Sequence, residues 1–189
     1  MHSFNKIELS DDICIYEDFS DNNEALTDLL SSIDLPWNLA TPTEALGIKE
    51  KLYKELSRSS YILSPFSIQD KRLVKYLSML FPSAIACIKD FAIDKQIFTW
   101  YNDIEVLKYE KGQYMNEHYD NALNEKIKFS VFYYLNDDYE GGEIVFVHKG
   151  ISVKPKKNSV LIFSSNSSNA HKVNPVLSGT KYVVTTFLL

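Results

Sequence analysis

Val106-Leu107-Lys108-Tyr109-Glu110-Lys111-Gly112-Gln113-Tyr114-Met115-Asn116-Glu117-His118-Tyr119-Asp120 is the stretch that decides how this chain folds. A β-branched and aromatic run enters a Gly-containing turn and leaves as a second strand, so a hairpin is predicted with His118 and Asp120 just beyond it. The chain continues in the same manner. Phe129-Ser130-Val131-Phe132-Tyr133-Tyr134-Leu135 is too apolar to face water on either side, and Asn136-Asp137-Asp138-Tyr139-Glu140-Gly141-Gly142 is a turn. Glu143-Ile144-Val145-Phe146-Val147, Ser159-Val160-Leu161-Ile162-Phe163 and Lys181-Tyr182-Val183-Val184-Thr185-Thr186-Phe187 read as further strands, with a Pro break at Pro175 and a turn at Ser178-Gly179. Short strands at close spacing with turn signals between them predict a β-sandwich or jelly roll.

Within that frame the side chains with chemistry are few. The chain has four histidines, His2, His118, His148 and His171. Residues i and i+2 of a strand share a face, so His118 and Asp120 can bite one metal ion together. His171, delivered by the polar loop Ser164-Ser165-Asn166-Ser167-Ser168-Asn169, would close the triangle. Two imidazoles and one carboxylate leave coordination positions open, which is the pattern of non-heme Fe(II) oxygenases. Spacing alone does not settle the matter, since Zn2+ accepts the same donor set. Ten positions beyond His171 comes Lys181, on a strand too apolar for a lone ammonium. Burying that charge is costly without a partner anion. Lys181, Val183 and Thr185 share one strand face, so the cation and a hydroxyl point the same way.

Four pieces in order resemble the catalytic domain of the prolyl 4-hydroxylase-like branch of the Fe(II)/2-oxoglutarate-dependent dioxygenases. They are Tyr-x-x-Gly-x-Tyr-x-x-x-His-x-Asp at 109–120, Tyr-Tyr-Leu-Asn at 133–136, Gly-Gly-Glu at 141–143, and His-x-Val-x-Pro-Val-x-x-Gly-x-Lys-Tyr at 171–182. The resemblance covers residues 104–189 and implies a double-stranded β-helix (jelly roll) holding Fe(II) through His118, Asp120 and His171. It implies further that Lys181 pairs with the distal carboxylate of 2-oxoglutarate, that Tyr134 and Thr185 turn hydroxyls toward it, and that Tyr109 lines the pocket. The implied reaction consumes 2-oxoglutarate and O2, gives succinate and CO2, and hydroxylates a peptidyl residue, proline being favoured, with ascorbate as reductant. Lys rather than Arg at 181 resembles the collagen-type, plant and viral members. The remaining alternatives are hydroxylation of a free amino acid or small metabolite, and a non-catalytic metal-binding β-sandwich.

Ahead of the strands the pattern is helical. Caps at 20–23 precede a helix through about Leu30, and Leu46-Ile48-Leu52-Leu56 suggests another. Leu73-Val74-Leu77-Leu80 and Ala84-Ile85-Ile88-Phe91 have helical spacing and are expected as two helices separated near Phe81-Pro82. Residues 57–66 read as a loop near the site mouth, Gly141-Gly142 as a turn requirement without chemistry, and His148 as a loop residue. The expected organisation is mainly β with flanking N-terminal helices, one domain over 1–189, with helical support at about 20–95 and a catalytic jelly roll at about 100–189. With 25 acidic against 20 basic residues the net charge is −5, which gives no electrostatic footprint for nucleic acid or an anionic membrane. No apolar run approaches membrane-spanning length. Two cysteines, Cys14 and Cys87, in unrelated elements fit a reducing compartment, hence a cytoplasmic location, equally compatible with a virus-encoded protein in a host cell. Oligomeric state has no sequence signal.

Overall fold

The computed structural model describes residues 4–18, 23–32, 34–39, 58–63, 70–91, 100–122 and 124–189. Along the chain these form β1 (Asn5–Ser10), β2 (Ile13–Glu17), α1 (Asn23–Ser32), β3 (Asn38–Leu39), β4 (Arg58–Ser59), β5 (Tyr61–Leu63), α2 (Lys71–Phe91), β6 (Trp100–Tyr109), β7 (Tyr114–His118), β8 (Phe129–Tyr134), β9 (Glu140–Gly141), β10 (Ile144–Phe146), β11 (Ile151–Val153), β12 (Ser159–Ser164), β13 (His171–Val173), β14 (Val176–Ser178) and β15 (Lys181–Leu188). Among them, eight strands make a major sheet in the order β1-β2-β12-β8-β15-β6-β5-β3. Five make a minor sheet, β11-β10-β13-β7-β4, and β14 pairs with β9. Neighbouring strands run antiparallel, as in the jelly roll that the sequence predicts.

The central strands of the major sheet are apolar on both faces because each face has its own partner. On β8, Phe129, Val131 and Tyr133 join a core with α1 and α2, which supply Leu26, Leu30, Leu73, Leu77 and Leu80. Phe132 and Tyr134, one residue out of phase, join Ile144 and Phe146 of the minor sheet in a second core. The same division splits β12, with Val160 and Ile162 toward the helices and Leu161 and Phe163 toward the minor sheet. Period-2 alternation between two apolar faces thus explains strands that read as continuous hydrophobic runs. Buttressing of one sheet by the helices is as expected.

Two expectations are corrected. Phe81-Pro82 does not separate two helices; α2 runs unbroken through Pro82. Its buried residues, Leu73, Leu77, Leu80, Ala84, Cys87 and Ile88, stay in phase across the proline, which itself is exposed. A continuous apolar stripe against the sheet outweighs the ~3 kcal/mol that an interior proline costs a helix. The stretch 57–66 is not a loop where it is described. Ser59 pairs with Tyr114 of β7, and Tyr61 pairs with Lys108 of β6. The chain crosses from the minor to the major sheet at the fully buried Ser60. Both short strands cover hydrogen-bonding edges that the β6–β7 hairpin would otherwise leave open. The caps at 20–22 and the helix expected over 46–56 lie outside the described residues.

Replacing Pro82 by Ala restores a helical N–H at an exposed position. Urea denaturation of Pro82→Ala is expected to show a gain of about 1–3 kcal/mol; a loss would mean that the proline shapes the packing of α2.

Candidate metal centre and carboxylate pocket

His118 ends β7 and His171 begins β13, and the two are directly paired across the minor sheet. The register shifts by one residue immediately afterwards, so that Val173 faces Met115. A bulge of this kind re-aims side chains at a site. Here the rings lie with centroids 4.4 Å apart. Asp120 arrives differently from the expectation that it shares a strand face with His118. β7 stops at His118, and Asp120 opens a 3-10 turn over Asp120–Ala122. That turn folds the carboxylate back onto the imidazoles, with Oδ1 3.4 Å from His118 Nε2 and Oδ2 3.9 Å from His171 Nε2. One ligand atom from each of the three residues lies within 4.8 Å of the others.

Each donor is oriented by a hydrogen bond. His118 Nδ1–H donates to the Asn116 carbonyl at 2.9 Å, and His171 Nδ1–H to the Asn169 carbonyl at 3.0 Å. A carbonyl only accepts, so both protons sit on Nδ1 and both Nε2 lone pairs face inward. The Ser130 hydroxyl donates to Asp120 Oδ2 at 2.5 Å and contacts the Ser165 hydroxyl at 2.7 Å. Asn169 is itself fixed, its amide donating to Asp12 Oδ2 at 2.8 Å and to the Ser164 carbonyl at 2.9 Å.

The donor set fits a divalent ion. His171 Nε2 is buried with no hydrogen-bond partner, an arrangement that needs an explanation. Two inward lone pairs beside a carboxylate repel one another unless a cation sits between them. Burial, reinforced by the neighbouring His118 ring, lowers the His171 pKa to about 4, so its lone pair is free at neutral pH. Burial pushes the Asp120 carboxyl up, but the imidazoles and Ser130 outweigh it and hold the group below its ordinary value. Phe132, Phe146 and Phe163 surround His171 with ring centroids 4.9–6.0 Å away. They give this ligand an apolar surround.

Lys181, at 1% exposure, is the second charged centre. Its Nζ donates to the Gly142 carbonyl at 2.7 Å and lies 5.4, 5.3 and 5.8 Å from the ring centroids of Tyr109, Tyr134 and Tyr139. Among the described residues no carboxylate comes within 4.0 Å of it. Burial lowers its pKa to about 7, with Glu143 pulling it up and Lys154 pushing it down. The pocket therefore holds a poorly compensated cation. Thr185 is buried on the same face of β15 but four residues further on, opposite Phe132, about 13 Å along the strand from Lys181. The rings of Tyr109 and Tyr134 lie at the ammonium; Thr185 lies toward the His171 end.

One strand connects the two centres. Phe132 of β8 packs on His171, and Tyr134, two residues along the same face, packs on Lys181. Same-face neighbours on a strand are about 7 Å apart, so the triad and the ammonium address adjacent steps of one interior surface.

Gly142 has more than the turn role expected of it, because its carbonyl holds Lys181. Its φ is +65°, and a Cβ there would come within 3.3 Å of Lys181 Cδ, which leaves glycine as the residue that fits. Sequence reasoning missed Ser130, Ser165, Asn169 and Asn136. Asn136 staples the turn after β8 to the start of β15, its amide donating to the Thr180 carbonyl at 2.7 Å while its oxygen accepts from the Tyr182 N–H at 2.8 Å. Its place in Tyr133-Tyr134-Leu135-Asn136 was the available signal. His148 sits exposed in a 3-10 turn over Val147–Lys149.

Residues 104–189 match the 2OG-Fe(II) oxygenase superfamily. Among curated proteins, the chain is 35% identical over 78 residues to 2-oxoglutarate and iron-dependent oxygenase domain-containing protein 3 of Rattus norvegicus, covering 39% of this chain and 25% of that protein. It is 28% identical over 101 residues to a putative prolyl 4-hydroxylase of Acanthamoeba polyphaga mimivirus, covering 43% of this chain and 42% of that one. The chain thus spans less than half the length of these relatives. Among solved structures, a prolyl hydroxylase from Trichoplax adhaerens, in complex with a hypoxia inducible factor oxygen degradation domain peptide fragment, superposes with a TM-score of 0.69 at 21% identity, over 95% of this chain and 84% of that one. This likeness is one of fold.

Ser130→Ala removes the hydrogen bond that aims Asp120. Its Mn(II) affinity, measured by calorimetry, is expected to fall about 10–100-fold; an unchanged affinity would remove Ser130 from the site. Lys181 has a folded pKa below its ordinary 10.5, so the folded state sheds this proton first and gains stability as pH rises from about 7 toward 10.5. Lys181→Met should accordingly raise the stability of the ligand-free protein at pH 7 by roughly 1–4 kcal/mol, the gain shrinking toward pH 10.5; a destabilised variant would contradict an uncompensated charge.

Proposed function

We propose that this chain, whose residues 104–189 form a 2OG-Fe(II) oxygenase domain of the prolyl 4-hydroxylase-like kind, is an Fe(II)- and 2-oxoglutarate-dependent dioxygenase that hydroxylates a peptidyl residue, with proline the favoured target. The carrying observation is the placement of a His-Asp-His triad and a buried, poorly compensated ammonium beside Phe132 and Tyr134, neighbouring same-face positions of β8. A metal site alone has no use for that ammonium. A ligand that chelates metal at one end and carries a carboxylate at the other uses both.

In this reading His118, Asp120 and His171 hold the iron, and Ser130 and the Asn116 and Asn169 carbonyls keep the donors aimed. Lys181, with one N–H committed to Gly142, offers the remaining donors to the distal carboxylate of 2-oxoglutarate. Tyr109 and Tyr134 form the pocket wall around that end, and Thr185 contributes a hydroxyl nearer the metal. The phenylalanines about His171 give it an apolar surround. When bound, ferrous iron with 2-oxoglutarate and O2 supplies the oxidation that yields succinate, CO2 and an alcohol, ascorbate serving as reductant.

Support for a peptide substrate comes from the peptide bound by the Trichoplax neighbour and from the prolyl hydroxylase names of the relatives. Exposed Tyr119, between His118 and Asp120, stands where an incoming peptide could meet the site. A cytoplasmic setting belongs to the same proposal, supported by Cys14 and Cys87, both buried free thiols.

Incubation with Fe(II), ascorbate and 2-oxoglutarate is expected to yield succinate, and His118→Ala or Asp120→Ala to abolish it. Mass spectrometry of Pro-containing peptides should then show the gain of one oxygen atom. Absence of succinate contradicts the activity; oxygen gain on free amino acids but not on peptides contradicts the substrate class. Binding should also carry the signature of Lys181. An anion needs the ammonium charged, and its pKa is about 7 in the empty pocket. Affinity for 2-oxoglutarate should therefore decline above about pH 7, by up to tenfold per pH unit, with proton uptake measurable by calorimetry in buffers of different ionisation enthalpy.

A further inference from the structure

Tyr139 stands outside the roles given so far. It lies in the turn between β8 and β9, is 3% exposed, and its hydroxyl is buried with no hydrogen-bond partner. A buried phenol normally finds a partner, and an orphaned hydroxyl forfeits a hydrogen bond that water would have supplied. The ring is also held with unusual firmness. Lys154 Nζ lies 4.5 Å over its face and donates to the Tyr139 backbone carbonyl. Gly179, at φ +75°, lets the chain pass so close that a Cβ there would meet Tyr139 Cα at 3.0 Å.

The phenol end of this ring reaches the ammonium pocket. A Cβ built on Gly142 would lie 3.2 Å from Tyr139 Cε2 and 3.3 Å from Lys181 Cδ. The carbon next to the hydroxyl-bearing one and the stem of Lys181 therefore border the same space beside Gly142, and Lys181 Nζ is 5.8 Å from the ring centroid. Tyr139, Tyr109 and Val176 also share one apolar cluster. A cation short of an anion and a phenol short of an acceptor thus occupy one buried pocket. A carboxylate oxygen satisfies both, because it accepts from N–H and O–H together.

We propose that Tyr139 is a co-substrate-binding residue whose hydroxyl donates to the distal carboxylate that Lys181 pairs with. This rests on the 2-oxoglutarate dependence proposed above. The hydroxyl sets specificity for a dicarboxylate, since a keto acid without the distal carboxylate leaves it orphaned. Lys is a compact point charge without the two-pronged geometry of Arg, and a fixed phenol supplies the direction that Lys181 lacks.

The test is Tyr139→Phe, which keeps the ring and removes one oxygen. Calorimetric titration of the Mn(II)-loaded protein with 2-oxoglutarate should show a dissociation constant raised about tenfold or more. Mn(II) affinity should be unchanged, and the melting temperature of the ligand-free variant should be unchanged or higher. Wild-type-like 2-oxoglutarate binding by the variant would overturn the assignment. So would a lowered melting temperature without ligand, which would mean the hydroxyl is already bonded in the empty protein. A wild-type protein that binds Mn(II) but takes up no 2-oxoglutarate would overturn the dioxygenase reading and this assignment together, whereas wild-type binding with an unaffected variant overturns this one alone.

Discussion

Direct pairing of His118 with His171 across β7 and β13 is the constraint on which the rest of the site depends. Two imidazoles from strands far apart in sequence meet because an antiparallel ladder fixes their register. A one-residue slip would turn one of them to the opposite face. The bulge just beyond the pair lets the ladder continue with Val173 opposite Met115 while the rings stay aimed at each other. Asp120 then has only to fold back from the end of β7, which a single 3-10 turn accomplishes. Ser130, reaching from β8 in the opposite sheet, stops that carboxylate from rotating away. The metal centre is thus a seam between the two sheets, each sheet supplying part of it.

Energetically the interior is unbalanced in a way that ordinary packing does not require. Buried polar groups normally find partners, and buried charges are paired. Here His171 Nε2 and the Tyr139 hydroxyl are orphaned, and Lys181 Nζ meets the Gly142 carbonyl and three tyrosine rings, with no carboxylate within ion-pair distance among the described residues. Asn136 and Tyr16, which hold the fold, are bonded. His171 Nε2 and the Tyr139 hydroxyl belong to two neighbouring places beside β8, one suited to a cation and one to an anion. On the proposed function, folding stability is given up at both in return for binding capacity, which is the usual relation between strained polar interiors and function.

Much of this was legible in the chain. The apolar runs of β8, β12 and β15 between turn signals carried the strands, and they are apolar throughout because residues of each parity meet a different apolar partner. The tight spacing of Gly112, His118 and Asp120, with Lys181 beyond His171, carried the candidate site. Other features were hidden for physical reasons. Asp120 lies off the strand because β7 ends one residue before Tyr119, a boundary that side-chain pattern does not mark. Pro82 is a local helix breaker overruled by a stripe of leucines in phase on either side of it. β4 and β5 exist because β6 and β7 need their edges covered, a demand made by distant residues rather than by Ser59 or Tyr61. Ser130, Ser165 and Asn169 act through hydrogen bonds spanning long stretches of chain, and nothing in their own neighbourhoods distinguishes them from filler. Gly142 looked like a turn residue because its contribution is a backbone carbonyl.

Diffraction from crystals soaked with Mn(II) and 2-oxoglutarate under anaerobic conditions tests the central claim most directly. An anomalous peak bonded to His118 Nε2, the Asp120 carboxylate and His171 Nε2 is predicted, with keto-acid density running from that peak along β8 to a carboxylate on Lys181 Nζ. Manganese bound elsewhere, or a keto acid whose far carboxylate turns away from Lys181, would contradict the account.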